Sequence, residues 1–502
     1  MSGVAATLRG LIADGTWRRR LAAGFGRLRP TSTAEALLLV LVLAGIWLRI
    51  AAAVSWWPVT TTLSDAWPYA FYAETGPFDN PQHPPGYSAL LALVGVVTRE
   101  VAVPVLLQHL LGIASALLLF AAVRRLTGSP WPGLVPAAVV LLNGDQIYLE
   151  HSIMSEGPFV FLVSGSLYAC VRALDEPQPW WRWPLAAAGL AVAATTVRAV
   201  GVFLIAGLIA ALVVSRPRPW LPNWRTPAVI AGVAVALLVP YVTVIVANGD
   251  SFGIAPSSGW HLYHRVAPFA DCEEFTPPEG TEALCESTPP AERLGGDFYL
   301  FDPESPAVRE FEFIGREDRQ VGAFARQVVL SQPTDYLEAV WLDLRAFFVP
   351  SAHAQIPFSG GALDPQLNWS AALPPYPNLD PRTEVDTERG METFFDDFSV
   401  SKNRAGLELL RDVQRVLRFG ATGLVITTAL TLLGLLIGAR RERVGVLLFG
   451  VGGLALLAAP TLSGVYVGRY MVPLAGLLAA GAAIAATSIV RAEADRRRVE
   501  DG

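Results

Sequence analysis

Between Thr61 and Leu93 the chain reads TTLSDAWPYAFYAETGPFDNPQHPPGYSALLAL, which sets Asp65, Glu74, Asp79 and His83 directly after a long apolar run. A passive connection between apolar segments needs neither three acids nor a histidine. A carboxylate at that depth can orient a hydroxyl and take its proton as a new bond forms. Free carboxylates titrate at about 3.9 to 4.3, so this is a weak base unless burial or a second acid raises it. Asp65 is the candidate catalytic group, set against the plainer reading of a solvated interfacial acid. His83 precedes Pro84 and Pro85, which stiffen the backbone, and Gly86, which permits a close turn. The corner either holds His83 toward a phosphate or hydroxyl or simply opens the next helix.

Further charges recur beside apolar runs. Glu156 lies in LEHSIMSEGPFVF, Arg198 in TTVRAVG, and Arg469 between Tyr466 and Tyr470 in GVYVGRYMVPLAGLL. An ionised side chain in hydrocarbon costs about 2.5–3.5 kcal/mol on insertion scales, so each should face water, a partner or a ligand. Arg469, with Tyr466, either holds a phosphate through several donors or anchors its helix at the interface. Arg198 needs a phosphate or a buried acid, and Glu156 is the obvious protein candidate. His261 and His264 do not form a diagnostic metal site with Asp271, Glu273 and Glu274. The acidic run Asp380, Glu384, Asp386 and Glu388 reads as solvated loop. No nucleotide-binding loop, dinucleotide fingerprint or zinc-protease motif is visible.

These residues must be positioned by a membrane scaffold. The 502 residues are 52% hydrophobic and 16% charged, with a mean hydropathy of +0.41, which suits a polytopic α-helical membrane protein. A net charge of −6 gives no reason to expect nucleic-acid binding. Apolar runs predict ten spans, near 36–56, 102–123, 132–147, 156–174, 184–196, 199–215, 228–247, 415–438, 444–460 and 469–490. Arg198 interrupts 184–215, which is either two spans joined by a tight turn or one broken helix. Arg49, near the far end of the first run, is expected to snorkel. Segment 86–98 either lies at the interface or extends the next helix.

With ten spans, Arg124 and Arg125, Arg182, Arg216, Arg218 and Arg225, Arg440, Arg441 and Arg443, and Arg491 to Arg498 all fall on the N-terminal side. The positive-inside bias makes that side cytoplasmic. The expected layout is a cytoplasmic segment 1–35, a transmembrane core 36–247 carrying the first external loop 57–101, an extracytoplasmic helix–loop cap 248–414, helices 415–490 and a cytoplasmic tail 491–502. Glu150 and His151 fall in a short external turn. Cys272 and Cys285 lie in the external stretch and either form a disulfide or stay free, while Cys170 reads as a small buried residue.

SDAWPYAFYAETGPFDNPQHPPGYSALLAL resembles the first external loop of the GT-C superfamily of membrane glycosyltransferases. It is most like the lipid-phosphate-sugar-dependent branch that includes protein O-mannosyltransferases and lipid A aminoarabinose transferases. The matching features are Asp65, the aromatics Trp67, Tyr69 and Tyr72, and the corner His83–Pro84–Pro85. LEHSIMSEGPFVF resembles a later helix start with Glu156 in its acidic position, and the segments around Arg198 and Arg469 resemble further membrane-side pieces. The resemblance implies inverting transfer of a sugar from a polyprenyl-phosphate donor to an acceptor hydroxyl at the extracytoplasmic face, and the arginine- and alanine-rich composition suits a bacterial plasma membrane. Asp65 would be the base or acceptor-orienting residue, Glu156, His83 and Tyr69 would position donor or acceptor, and Arg198, Arg469 and Tyr466 would face phosphate. The chain departs from the pattern at Ala66, where several relatives carry a second acid, and at His83, where they carry lysine. The acceptor is left open among a glycan, a lipid-linked sugar and a protein, and the metal requirement is open too, with a divalent ion permitted and none required. Two other classes stay in play: a multi-span transporter or flippase, and a noncatalytic envelope scaffold.

Overall fold

The computed structural model describes residues 32–63, 65–175, 179–214, 224–248, 251, 253–349, 369, 388–396 and 398–500. The arginines of the N-terminal segment, Arg216 and Arg218, and the acids Asp380, Glu384 and Asp386 lie outside the described residues. The chain is largely α-helical. Strand structure among the described residues is confined to Trp56–Trp57 pairing antiparallel with Ser401–Lys402 and an isolated parallel bridge between Thr60 and Ser152.

Seven helices among the described residues are long and apolar enough to cross a membrane: Thr33–Ser55, Ala102–Thr127, Glu156–Asp175, Arg225–Asn248, Arg404–Ile437, Arg441–Ser463 and Gly468–Arg498. The expected count of ten is corrected to seven. The three remaining apolar runs form helices that are too short. Leu134–Leu142 has nine residues, roughly 14 Å at 1.5 Å each, against a hydrocarbon core of about 30 Å. It stops at Asn143, whose side chain accepts from the Asp145 amide and caps a new helix, Gly144–Glu150.

Arg182–Val197 and Gly201–Val214 have 16 and 14 residues. They are two helices and not one broken helix. Arg198 is extended, and a Cβ on Gly201 would lie 2.6 Å from the Thr195 amide nitrogen. The chain therefore reverses on itself at Arg198, and the two helices pack together. Segment 86–98 supplies a helix of its own, Gly86–Gly95.

Arg49 does not snorkel, which is a second correction. It is 4% exposed, and its Nε and Nη2 donate to the two carboxylate oxygens of Glu150 at 2.8 and 3.0 Å. Its Nη1 donates to the carbonyls of Gly45 and Leu141, both at 3.0 Å. Glu150 and His151 are fully buried, so the expected short turn is packed inside the protein and not exposed. Gly112 makes room for it, because a Cβ there would collide with the Glu150 carboxyl.

Residues 253–349 build a separate set of short helices around Trp260, Tyr263, Tyr299 and Phe324. A disulfide joins Cys272 to Cys285 in this layer, and Cys170 is buried and free. The layer is tied to the helices beneath it. Arg265 pairs with Asp343 and donates to the Gly464 carbonyl, and the Tyr336 hydroxyl donates to the Leu462 carbonyl at 2.8 Å.

Candidate active site

Thr33–Ser55 hands the chain to a buried segment, 58–63, that hangs on the interior segment 148–152. The Thr60 amide donates to the His151 carbonyl at 3.0 Å, and the hydroxyls of Thr60 and Thr62 meet those of Ser152 and Tyr148. The next helix, Ala66–Thr75, starts immediately after Asp65. Two anchored segments thus fix where that carboxylate sits.

Asp65 is bound by Arg469 through Oδ2 and Nη2. Arg469 Nε lies 3.9 Å from Glu156 Oε1. Arg198 Nη1 is 2.7 Å from the same oxygen and donates to Ser155 Oγ at 2.9 Å. The four residues come from loop 57–101, the start of Glu156–Asp175, the reversal at 198 and the 3₁₀ turn Gly468–Leu474. They form a ladder in which two carboxylates alternate with two guanidiniums, so their charges cancel. Arg198 also lies over the Tyr470 ring, 5.2 Å from its centroid.

A stack of rings closes one side. Tyr69 donates to Ser155 Oγ at 3.1 Å, lies against His83 with ring centroids 4.6 Å apart, and meets Tyr87 edge-on at 4.7 Å. Tyr87 donates to Gln108 Oε1 at 2.6 Å, and Gln108 donates to the carbonyls of Glu150 and Ser152 at 3.0 and 2.7 Å. His83 is held in turn by its amide, which donates to Asn80 Oδ1 at 3.0 Å. Tyr466 is engaged elsewhere: its ring packs edge-on against Phe347 at 4.8 Å, and its amide donates to Asp343 Oδ2 at 2.8 Å.

Burial pushes the Asp65 carboxyl upward, but Arg469, then His83, more than offset it and hold the group at about 2. Asp65 is therefore ionised and a poor proton acceptor while Arg469 is seated on it. Burial also pushes His83 below its ordinary value, Asp65 opposing and Arg469 and Arg198 assisting. The upper layer reaches the same place through His261. Burial first, then His264 and His83, bring its imidazole down to about 4. His264 pairs with Asp297 at 3.1 Å. Among the described residues, three buried polar atoms in the site have no hydrogen-bond partner: Glu156 Oε2, His83 Nε2 and Arg469 Nε. Among the described residues, no group of three or more His, Cys, Asp or Glu side chains is arranged to hold a metal ion.

Asp65, Glu156, His83, Tyr69, Arg198 and Arg469, drawn from over 400 positions of sequence, meet in this one pocket. Sequence reasoning passed over Ser155, Tyr87 and Gln108, and took Tyr470 only as an interfacial neighbour of Arg469. Ser155 had a signal, its position next to Glu156. Tyr87 and Gln108 had none, since each reads as an ordinary residue at a helix start or within an apolar helix.

Residues 82–245, about a third of the chain, match the family model described as dolichyl-phosphate-mannose-protein mannosyltransferase. The resemblance to the polyprenyl-phosphate-sugar-dependent branch of the GT-C superfamily is thus found again in the region that contains His83, Glu156 and Arg198. Two solved structures from Archaeoglobus fulgidus are also similar. The apo oligosaccharyltransferase is 12% identical, with a TM-score of 0.45, over 94% of this chain and 52% of that one. The oligosaccharyltransferase AglB in complex with an inhibitory peptide and a dolichol-phosphate is 13% identical, with a TM-score of 0.40, over 93% and 51%. The chain spans about half the length of these structures. No curated protein matches the chain.

Proposed function

We propose that this chain transfers a sugar from a polyprenyl-phosphate donor to an acceptor hydroxyl at the extracytoplasmic face of a bacterial plasma membrane, with inversion at the anomeric carbon. The observation that carries the reading is the ladder Asp65–Arg469–Glu156–Arg198, which sets two carboxylates and two guanidiniums side by side, next to polar atoms that have no partner among the described residues. The family model matched by residues 82–245 takes its description from a dolichyl-phosphate sugar, which supports the donor class. In this reading the layer 253–349 covers the pocket from outside.

The donor's prenyl chain lies between helices, and its phosphate meets Arg198 and Arg469. Arg469 exchanges part of its hold on Asp65 for the phosphate, which turns the Asp65 carboxylate toward the acceptor hydroxyl. That hydroxyl attacks the anomeric carbon opposite the phosphate, and the C–O bond to phosphate breaks with its electron pair. Phosphate leaves as an anion held by guanidinium, so it needs no proton. Preorganised charge and exclusion of water supply most of the rate.

The test places the full chain in proteoliposomes with polyprenyl-phosphate mannose or a polyprenyl-phosphate pentose and an alkyl glycoside acceptor, and reads products by mass spectrometry. A new glycosidic product that Asp65→Asn abolishes without unfolding supports the reading. Movement of intact donor across the bilayer without conversion would instead identify a flippase.

A further inference from the structure

Asp65 accepts its strongest contact from Arg469 and is held at the acid end of the carboxylate range. A group so placed orients and stabilises charge, but it is poorly matched to taking a proton near neutrality. The proton of the acceptor hydroxyl needs another destination in the same pocket. Glu156 spends Oε1 on Arg198 and approaches Arg469. Tyr69 donates its hydroxyl proton to Ser155, and a phenol kept protonated by burial is no base. Two acceptor atoms remain: Glu156 Oε2, on a carboxylate that already holds an arginine through its other oxygen, and His83 Nε2, on an imidazole.

We infer that His83, resting on the transfer reading above, is the proton acceptor of the reaction through Nε2, with Asp65 orienting the hydroxyl and steadying the imidazolium that forms. The ring is fixed on two sides. It stacks on Tyr69, 4.6 Å between centroids, one helical turn beyond Asp65, and its backbone is locked by Asn80 and by Pro84. Its Nε2 is buried and has no hydrogen-bond partner among the described residues. An unpaired buried ring nitrogen costs free energy, so its retention beside the reacting carboxylate calls for a hydroxyl to fill the position during turnover. The charged and titratable groups that act on it are Asp65 from loop 57–101, Glu156, Arg198, Arg469 and His261 from the upper layer. Burial and the two arginines keep the ring neutral at physiological pH, which is the form that accepts a proton.

The step balances. The acceptor O–H bond breaks and its oxygen bonds the anomeric carbon. The C–O bond to phosphate breaks with its electron pair, and the proton passes to His83 Nε2. The imidazolium then sits against the Asp65 carboxylate until product leaves and the proton escapes to water.

The experiment compares wild type, His83→Gln and His83→Lys in proteoliposomes. It reads kcat across pH with polyprenyl-phosphate mannose and an alkyl glycoside, and affinity for sugar-free polyprenyl phosphate by tryptophan fluorescence. Wild-type kcat should fall on acidification with an apparent pKa below 6.5. His83→Gln should lose about a hundredfold or more in kcat, lose that acid limb, and bind polyprenyl phosphate as wild type does. His83→Lys should be no better than His83→Gln, because lysine is protonated where histidine is not. Loss of polyprenyl-phosphate binding in His83→Gln with rescue by His83→Lys would make His83 a phosphate cation and overturn the inference. An unmoved pH profile in an active His83→Gln protein would also overturn it. A wild type that transfers neither mannose nor pentose would sink the transfer reading itself, a separate result from an active enzyme indifferent to His83.

Discussion

A Cβ placed on Gly86 would lie 2.5 Å from the carbonyl oxygen of Thr196. The two residues are 110 positions apart, and their contact presses the His83–Pro84–Pro85 corner against the end of helix Arg182–Val197. That contact brings His83 and Arg198 to one pocket. Glycine is required there for close approach of two backbones and not for a turn. Gly86→Ala should therefore lower stability by about 1–3 kcal/mol, the usual cost of overpacking a tight contact, and reduce turnover through displacement of His83. Thermal unfolding in detergent checks the first part. Val97→Ala, at a position 86% exposed, should leave the melting temperature unchanged.

Asp65 gives a prediction about acid. Its carboxyl is held at about 2 in the folded chain against an ordinary 3.8. A group lowered on folding contributes stability that is present in full above 3.8 and lost as pH falls toward 2. Wild type should thus exceed Asp65→Asn in melting temperature at neutral pH, and the gap should narrow as the solution is acidified through that window. Equal narrowing in a variant lacking both Asp65 and Arg469 would assign the acid response to other carboxylates.

The sequence made the ingredients of the pocket legible because membrane chemistry penalises stray charge. Arg198 and Arg469 stood out as charges beside apolar runs, and the acid–aromatic–proline pattern marked loop 57–101 at once. Span count was harder. Hydropathy sees apolar length but not the Asn143 cap that breaks 132–147, nor the close backbone contact at Gly201 that folds 199–215 back. Arg49 was misread for a related reason. A position near the end of an apolar run allows snorkelling, and only the fold reveals that Glu150, 101 residues away, is waiting beside it. Which arginine serves which acid is likewise a tertiary fact. Arg198 had Glu156 in view from depth alone, whereas the hold of Arg469 on Asp65 depends on how the 3₁₀ turn Gly468–Leu474 enters the pocket.

The disulfide supplies a third expectation. Cys272 and Cys285 close a short loop in the layer whose buried centre is Trp260, Tyr263, Tyr299 and Phe324. Short closed loops of this kind stabilise by about 3 kcal/mol, chiefly through the unfolded chain. Changing both cysteines to serine should make residues 253–349 more susceptible to limited proteolysis while the membrane helices stay protected. Thiol titration of denatured, unreduced wild type should find one reactive group, Cys170.

Arg49 and Glu150 give the sharpest stability test. Arg49 spends three nitrogens on four acceptors, two of them the Glu150 oxygens and two of them backbone carbonyls. Glu150 also accepts from Gln146 at 3.1 Å and lies 3.2 Å from His109 Nδ1. Removing one partner strands a charge in a buried site, a loss of about 3–5 kcal/mol. Arg49→Leu should therefore be severely destabilised. Arg49→Lys keeps the charge but cannot reproduce the forked contact, so it should fall between Arg49→Leu and wild type. Replacing both members with apolar residues removes the stranded charge but orphans Gln146 and His109, so Arg49→Leu combined with Glu150→Leu should recover only part of the loss. Segment 148–152 also carries the loop that ends in Asp65, through the Thr60 amide and the His151 carbonyl. Turnover in Arg49→Lys should accordingly fall through kcat more than KM. A variant with lowered melting temperature and untouched kcat would separate this buried pair from the pocket.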